Sequence, residues 1–463
     1  MNQSNNGIAD SLVLGLGKSG IAVASYLAER IATGDVASVT LAESGDNEAM
    51  RAAAAELEQL GVRVLLGAES VDGHYELCVT SPGIPPYAPL RVSAAEHSDR
   101  VISEIEFAYV CTGKPWVAIT GTNGKTTTTS LVAHLLRAGG IAAEAVGNIG
   151  FVATEAMQRE DLEIMVAEVS SFQMSLIEQF HPQVAVLLNI TPDHINYHGS
   201  LQAYAADKTR VFENMDDGDL AVIDVDDPGS APYADVLESR GVPVARVSRT
   251  IGHPGGATVV DGYLTLETEG GPVRLVRPDE LLIRGQHNVS NALAAALAAH
   301  ALGVDPVDLR GGLKTFAPIE HRLEPAGTVG GVDWYNDSKA TNPDAVFQAL
   351  RAFEGRDLIV LLGGRNKAND FHLLAEAVAK SSKAAVLFGE SRHEFAEAFA
   401  GVDVPTVEAV TLHDAVVAAA SLAAPGDVVV LSPACASFDE FTCFGHRGDE
   451  FKRYVAELTG EAQ

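Results

Sequence analysis

The run Trp116-Val-Ala-Ile-Thr-Gly-Thr-Asn-Gly-Lys-Thr-Thr127 leaves a chain little choice of fold. Five strand-forming residues lead into a turn with two glycines, and a Thr-rich helical pattern follows. A strand feeding a helix through such a turn is the opening unit of a parallel α/β sheet. Consecutive amides at 121–125 can curl into an anion nest, Lys125 can reach β and γ phosphates, and the Thr126 hydroxyl can ligate Mg²⁺. The block departs from the general P-loop, because Ile119 stands where the first glycine of GxxxxGK[ST] falls. Read on its residues, it is a nucleoside-triphosphate site with Gly121, Thr122, Asn123, Gly124, Lys125, Thr126 and Thr127 as phosphate contacts.

The rest of the chain repeats the alternation. Apolar runs at 11–14, 38–42, 164–168, 184–189, 358–362, 384–388 and 428–431 are separated by Ala-rich helical stretches. At about 150 residues per domain, 463 residues suggest about three domains. The pattern restarts after Gly113-Lys-Pro, and again after Thr315-Phe-Ala-Pro. The expected fold is therefore α/β in three domains: a Rossmann-like N-terminal domain (1–112), a P-loop-like central domain (113–318) and a Rossmann-like C-terminal domain (319–463). The Gly/Pro-rich stretch 228–278 reads as a β insertion, and 288–302 as a helix.

A second glycine-rich turn competes for attention. Gly15-Leu-Gly-Lys-Ser-Gly20 matches GxGxxG between a strand and a helix, and Glu43 follows 23 residues after Gly20. Together they meet the dinucleotide fingerprint, in which an acid holds a ribose diol. On residues alone, an NAD-dependent oxidoreductase and a non-catalytic nucleotide-binding regulator both stay open.

With 32 Lys+Arg against 62 Asp+Glu, the net charge of −30 excludes general nucleic-acid binding. Small anions remain possible, because local lysines and amide nests can hold them. Four cysteines without a CxxC pair make no disulfide framework. The start MNQSNNGIADS lacks signal-peptide character, and no run of about 18 apolar residues occurs, so a cytoplasmic chain without a membrane span is expected. A monomer is the expected state.

Several polar groups stand where apolar strands end. Glu168 closes the run Ile164-Met-Val-Ala, placed like a carboxylate that holds Mg²⁺ after a P-loop. Asp193 and His194 follow 184–189; His194 and His198 are read as lying in a loop, which argues against shared zinc ligation. His194 is the site candidate and His198 the structural one. Lys208 sits on a helical pattern that on chemistry alone reads as solvent-exposed. Blocks at 286–291, 320–322, 336–342, 361–367 and 432–441 concentrate more polar groups than folding needs.

Taken together, TGTNGKTT (120–127), GNIG (147–150), AEVSSFQ (167–173), Asp193-His194, HNVSN (287–291), EHR (320–322), NDSKATN (336–342) and LLGG (361–364) resemble the Mur ligases, in family order and over nearly the whole chain. Within that family, NDSKATN, Lys367 and SPACASFDEF (432–441) resemble the members that add D-glutamate. No DNPR-like motif for a diamino acid occurs, although a member adding another amino acid stays the nearest alternative.

The resemblance implies an ATP-dependent ligase of peptidoglycan precursor synthesis. ATP would phosphorylate the terminal carboxylate of UDP-N-acetylmuramoyl-L-alanine, and the amine of D-glutamate would attack the acyl phosphate. It implies catalytic roles for Lys125, Glu168, His194 and Lys208, with Lys208 carbamylated. Two Mg²⁺ sites would draw on Thr126, Glu168, His194 and the carbamate. Nucleotide contacts fall on Asn288, Asn291, Arg322 and Asp337. Contacts to the UDP-substrate fall on Lys18, Ser19, Ser44, Gly83, Asn148 and His194. Contacts to D-glutamate fall on Lys339, Thr341, Lys367, Ser437, Phe438 and Phe444. Two departures stand out: Phe438 takes a place where relatives can carry Leu, and Glu43-Ser44 replaces an expected Thr-Arg, so an acid stands where a diphosphate would meet a cation.

Overall fold

Each apolar run becomes a strand whose neighbours in space are often not its neighbours in sequence, and this places the glycine-rich turns at sheet edges. The computed structural model describes residues 8–366 and 369–458. Three sheets are present. The first contains β1 (Ile8–Leu14), β2 (Val36–Ala42), β3 (Arg63–Leu65), β4 (Leu77–Thr80) and β5 (Val101–Ser103), ordered β3-β2-β1-β4-β5 and parallel throughout. The order reverses between β1 and β4, so the turn after β1 lies at a switch point, the usual place for a ligand in an open sheet.

The second sheet holds β6 (Trp116–Thr120), β7 (Ala143–Gly147), β8 (Ile164–Glu168), β9 (Val184–Leu187), β10 (Leu220–Asp224), β11 (Val244–Val247), β12 (Ala257–Val260), β13 (Tyr263–Thr268) and β14 (Gly271–Arg274). Its order is β14-β13-β12-β11-β10-β9-β6-β8-β7, parallel from β7 to β12 and antiparallel over the last three strands. β6 is an interior strand between β9 and β8, and the turn after it again lies where the order reverses. The stretch 228–278 is not purely β: Pro232 opens a helix, Pro232–Ser239, before the four short strands β11 to β14. Proline at the first helical turn costs no hydrogen bond, so a Pro-rich reading concealed that helix.

The third sheet holds β15 (Glu324–Val329), β16 (Val332–Asn336), β17 (Leu358–Gly363), β18 (Ala384–Phe388), β19 (Thr406–Glu408) and β20 (Val428–Ala434). Its order is β15-β16-β20-β17-β18-β19, with only β15 antiparallel. Both faces of β17 and β20 are covered, which is why all six residues of β17 are buried and apolar or Gly.

The described residues divide into two compact units. One runs to Glu280 and includes Ser290–Lys314; the other is Leu281–Val289 with the residues from Thr315 onward. The first two sheets share a unit because one apolar core runs through both, from Val13 and Leu41 to Trp116 and Phe180. Two buried carboxylates on helix Glu104–Cys111 stitch it further. Glu104 accepts from the Thr154 amide and hydroxyl, both at 2.7 Å, and Glu106 accepts from the Gln179 and Phe180 amides at 2.8 and 2.9 Å. Among the described residues, no helix is long and apolar enough to cross a membrane.

Candidate active site

In the first sheet, Gly15 takes φ +95°, and a Cβ on Gly20 would lie 1.9 Å from the Gly15 carbonyl oxygen. Both glycines serve the strand-to-helix turn, which ends in helix Lys18–Glu29 with Gly17 as a cap that offers no side chain. Lys18 and Ser19 begin that helix, and Gly83 lies exposed on the loop after β4. Glu43 does not project toward a ribose. Its Oε2 accepts from the Leu16 amide at 2.9 Å, and its Oε1 from the Gly45 amide at 2.8 Å and the Ser44 hydroxyl at 3.3 Å. Burial opposes its charge, but these donors outweigh burial and hold its carboxyl below the usual range. Both oxygens of the acid in the dinucleotide fingerprint are thus used inside the protein.

In the second sheet the turn after β6 wraps tightly. Gly124 caps helix Lys125–Ala138 at φ +85°, and a Cβ there would lie 2.5 Å from Asn291 Oδ1. Asn291, from helix Gln286–Ala301, is therefore packed directly on the turn. Asn189, just past β9, clamps the turn from below: its side chain accepts from the Asn123 amide at 2.8 Å and donates to the Asn123 carbonyl at 3.1 Å. Thr122 Oγ1 donates to the Thr191 carbonyl at 3.1 Å and lies 3.1 Å from the Tyr204 hydroxyl. Lys125 Nζ folds back onto the Gly121 and Thr122 carbonyls at 2.9 Å each, and Thr126 and Thr127 are buried.

Glu168 ends β8 at 2 % exposure. Asn148 Nδ2 donates to its Oε1 at 2.8 Å, whereas Oε2 is buried with no partner among the described residues. A buried carboxylate oxygen left bare is an unmet demand for a cation. Lys208, from helix Leu201–Thr209, is not the exposed lysine its helix pattern suggests. It is 1 % exposed, and Nζ donates to the Gly121 carbonyl at 3.0 Å beneath the turn. Burial, then the like charge of Lys125, drives its pKa well below the ordinary lysine value.

His194 sits in a left-handed conformation (φ +51°) against the edge of Phe172, with ring centroids 4.8 Å apart. Burial holds its pKa below the usual value, against the pull of Asp193, whose Oδ2 lies 3.5 Å from Nε2. The expected loop is in part a short helix, Ile195–His198, closed by Gly199 at positive φ. His198 is anchored at both ring nitrogens, to Asp207 at 2.8 Å and to Ser171 at 3.0 Å.

The other unit assembles its own polar cluster. Asn288 Nδ2 donates to the Arg284 carbonyl at 2.7 Å. Asp337, after β16, accepts from the Ser432 hydroxyl at 2.8 Å and the Leu323 amide at 3.3 Å. Burial nevertheless lifts its carboxyl to about 7, although the Ser432 bond and the Arg322 charge work the other way. Lys339 Nζ lies 5.3 Å from the centre of the Phe444 ring, and the Thr341 amide donates to the Lys339 carbonyl at 2.9 Å. Ser437 is buried, and Phe438 is 60 % exposed. Lys367 lies outside the described residues.

One residue the sequence did not single out holds this cluster together. Arg447 is wholly buried; it donates to the Ser338 hydroxyl (2.9 Å) and carbonyl (2.8 Å) and to the Cys435 carbonyl (3.1 Å). It thereby ties the 336–342 and 432–441 blocks to helix Phe444–Glu457.

Comparison with known proteins matches this layout. The Mur ligase middle domain matches residues 119–299, and the Mur ligase glutamate ligase domain matches 321–435. The UDP-N-acetylmuramoylalanine–D-glutamate ligase of Pelotomaculum thermopropionicum is 40 % identical over 456 residues, covering 96 % of this chain and 97 % of that protein. The enzyme of the same name from Solibacter usitatus is 40 % identical over 449 residues, covering 97 % and 98 %. Among solved structures, MurF from Acinetobacter baumannii superposes with a TM-score of 0.62 at 18 % identity, covering 91 % of this chain and 90 % of that one. The UDP-N-acetylmuramate-alanine ligase of Thermotoga maritima gives 0.58 at 19 %, covering 97 % and 99 %. At such identities the superpositions speak for the three-domain fold alone.

Proposed function

The chain belongs to the Mur ligase family, and on that premise we propose that it joins D-glutamate to UDP-N-acetylmuramoyl-L-alanine at the expense of ATP, a step of peptidoglycan precursor synthesis. The observation that carries this reading is the convergence of Lys125, Glu168 and Lys208 at the edge beyond β6 and β8, in a chain 40 % identical to D-glutamate ligases over nearly its whole length. The oxidoreductase alternative loses its acid, because Glu43 spends both oxygens on the backbone.

In this reading the turn at 121–127 cradles the triphosphate by its amides, and Lys125 leaves its carbonyl partners to meet phosphate oxygens. Asn148 holds one oxygen of Glu168 and leaves Oε2, at the end of β8, free for the metal beside the substrate's terminal carboxylate. The bare oxygen of Glu168, His194, the Thr126 hydroxyl and a modified Lys208 form a donor set that fits Mg²⁺ at two sites. Mg²⁺ bound there supplies positive charge between two anions that would otherwise repel.

Lys208 suits carbamylation. Burial favours its neutral amine over the ammonium, and a neutral amine adds CO₂ to give a carbamate and one released proton, turning a nitrogen donor into an oxygen donor. The phosphorylated carboxylate then accepts the amine of D-glutamate with loss of phosphate. Lys339, Thr341, Lys367, Ser437, Phe438 and Phe444 are its proposed contacts, two lysines and two hydroxyls answering two carboxylates. Lys18, Ser19, Ser44 and Gly83 are proposed for the UDP moiety, and Asn288, Asn291, Arg322 and Asp337 for the nucleotide. Domains 1–112, 113–318 and 319–463 take UDP, ATP and the amino acid in turn, in a cytoplasmic monomer.

Phosphate release from ATP, with UDP-N-acetylmuramoyl-L-alanine present, tests the reading. D-Glutamate should stimulate it, while L-glutamate, L-alanine and diaminopimelate should not; stimulation by one of the others instead would move the chain to another branch of the family.

A further inference from the structure

The first sheet carries an unbalanced pair of charges. Glu43 takes the Leu16 amide for itself, so the turn 15–20 offers one donor fewer to a phosphate and gains a carboxylate at its rim. The compensating cation is not on β2. The loop after β4 runs beside this turn, because the Ser81 amide donates to the Leu14 carbonyl at 3.0 Å and a Cβ on Gly15 would lie 2.7 Å from Ser81 Oγ. The loop ends in helix Pro89–Glu96, and in its first turn stands Arg91.

Arg91 is 8 % exposed, and among the described residues its guanidinium has neither a carboxylate nor a hydrogen-bond acceptor. Its charge acts on the Cys78 thiol, on β4, and on the Tyr197 hydroxyl, one turn beyond His194. Its helix begins eight residues after Ser81, so Arg91 stands on the segment that leaves the ligand-binding edge of the first sheet. Its nitrogens are not among the sealed polar atoms and stay open to a ligand, whereas Arg447 shows what this chain does with a purely structural arginine: it bonds it to hydroxyl and carbonyl oxygens from two segments.

We propose that Arg91 is an anion-binding residue of the substrate site and takes the diphosphate of the UDP-sugar. The inference rests on the function proposed above. A guanidinium fork matches two phosphate oxygens at once, and the diphosphate, rather than the terminal carboxylate, belongs near the first sheet. Arg91 supplies the charge that Glu43 removes from the rim.

Calorimetric titration of full-length wild type, Arg91→Met and Arg91→Lys with UDP, uridine and an ATP analogue tests this, alongside melting temperatures. Arg91→Met should bind UDP at least about 10-fold more weakly, with uridine and ATP-analogue affinity unchanged. Arg91→Lys should fall between. Because Arg91 makes no bond to another described residue, the melting temperature of Arg91→Met should match that of wild type. Undiminished UDP binding by Arg91→Met, or equal weakening of UDP and uridine with a lower melting temperature, overturns the assignment while leaving the proposed function intact. A wild type that binds neither UDP nor uridine overturns both.

Discussion

Asn148 donates to one oxygen of Glu168 at 2.8 Å and leaves the other buried and bare among the described residues. The pair is a positioned ligand: one oxygen fixes the rotamer, the other is presented. Asn148→Ala should therefore lower Mg²⁺ affinity by about 10- to 100-fold, with most of kcat recovered at saturating Mg²⁺. A Mg²⁺ titration of turnover reads this directly. An unchanged Mg²⁺ requirement would remove the role assigned to this hydrogen bond.

Lys208 is buried against the Gly121 carbonyl, where an unmodified amine brings no oxygen for Mg²⁺. Lys208→Ala should lose at least about 100-fold in turnover, a size expected when a group positioned at the reacting atoms is removed. Short carboxylates such as formate or acetate should restore part of it by filling the carbamate's place. Full activity without additive would refute the carbamate.

Asp337 gives a pH signature. Its carboxyl is lifted from 3.8 to about 7 by burial, so between those values the folded chain holds a proton that the unfolded chain has lost. Stability from this group is full below about 4, declines as pH rises through the window, and is flat above about 7. Asp337→Asn should remove that component, so its melting temperature should fall less between pH 5 and 8 than that of wild type. Parallel curves would contradict the assignment.

Arg447→Met should leave several buried oxygens without donors, at a cost on the order of 3 kcal/mol. Because it ties the blocks proposed to hold D-glutamate, KM for D-glutamate should rise, while KM for ATP stays within about twofold. Arg447→Lys keeps the charge but not the fork and should rescue stability poorly. An unmoved KM for D-glutamate in a folded variant would make the residue purely structural.

Much of this architecture is legible in the chain. β6, β8, β17, β18 and β20 are unbroken apolar runs that end in Gly, Glu or Ser-Pro, so both the parallel sheets and the polar groups at their ends can be read directly. What escapes is whatever depends on partners distant in sequence. Glu43 reads as a ribose ligand until its bonds to Leu16 and Gly45 appear. Lys208 reads as a solvated cation on a helix, and nothing in the spacing singles out Arg91 or Arg447, because burial of one face is decided by packing rather than by spacing. Asn189 carries no spacing signal beside Asp193 and His194, and its clamp on Asn123 is visible only in three dimensions. The turn of helix at Ile195–His198 is too short to leave a periodic signal.

The most direct test of the central claim is a competition. Full-length protein is given ATP, Mg²⁺ and UDP-N-acetylmuramoyl-L-alanine with equimolar D-glutamate, L-glutamate, L-alanine and diaminopimelate, and the products are identified by mass and by stereochemistry after hydrolysis. A single UDP-muramoyl-dipeptide containing D-glutamate is expected, formed with one ADP and one phosphate each. A product carrying L-glutamate or another of the amino acids, or ATP consumption without any lengthened UDP-peptide, would contradict it.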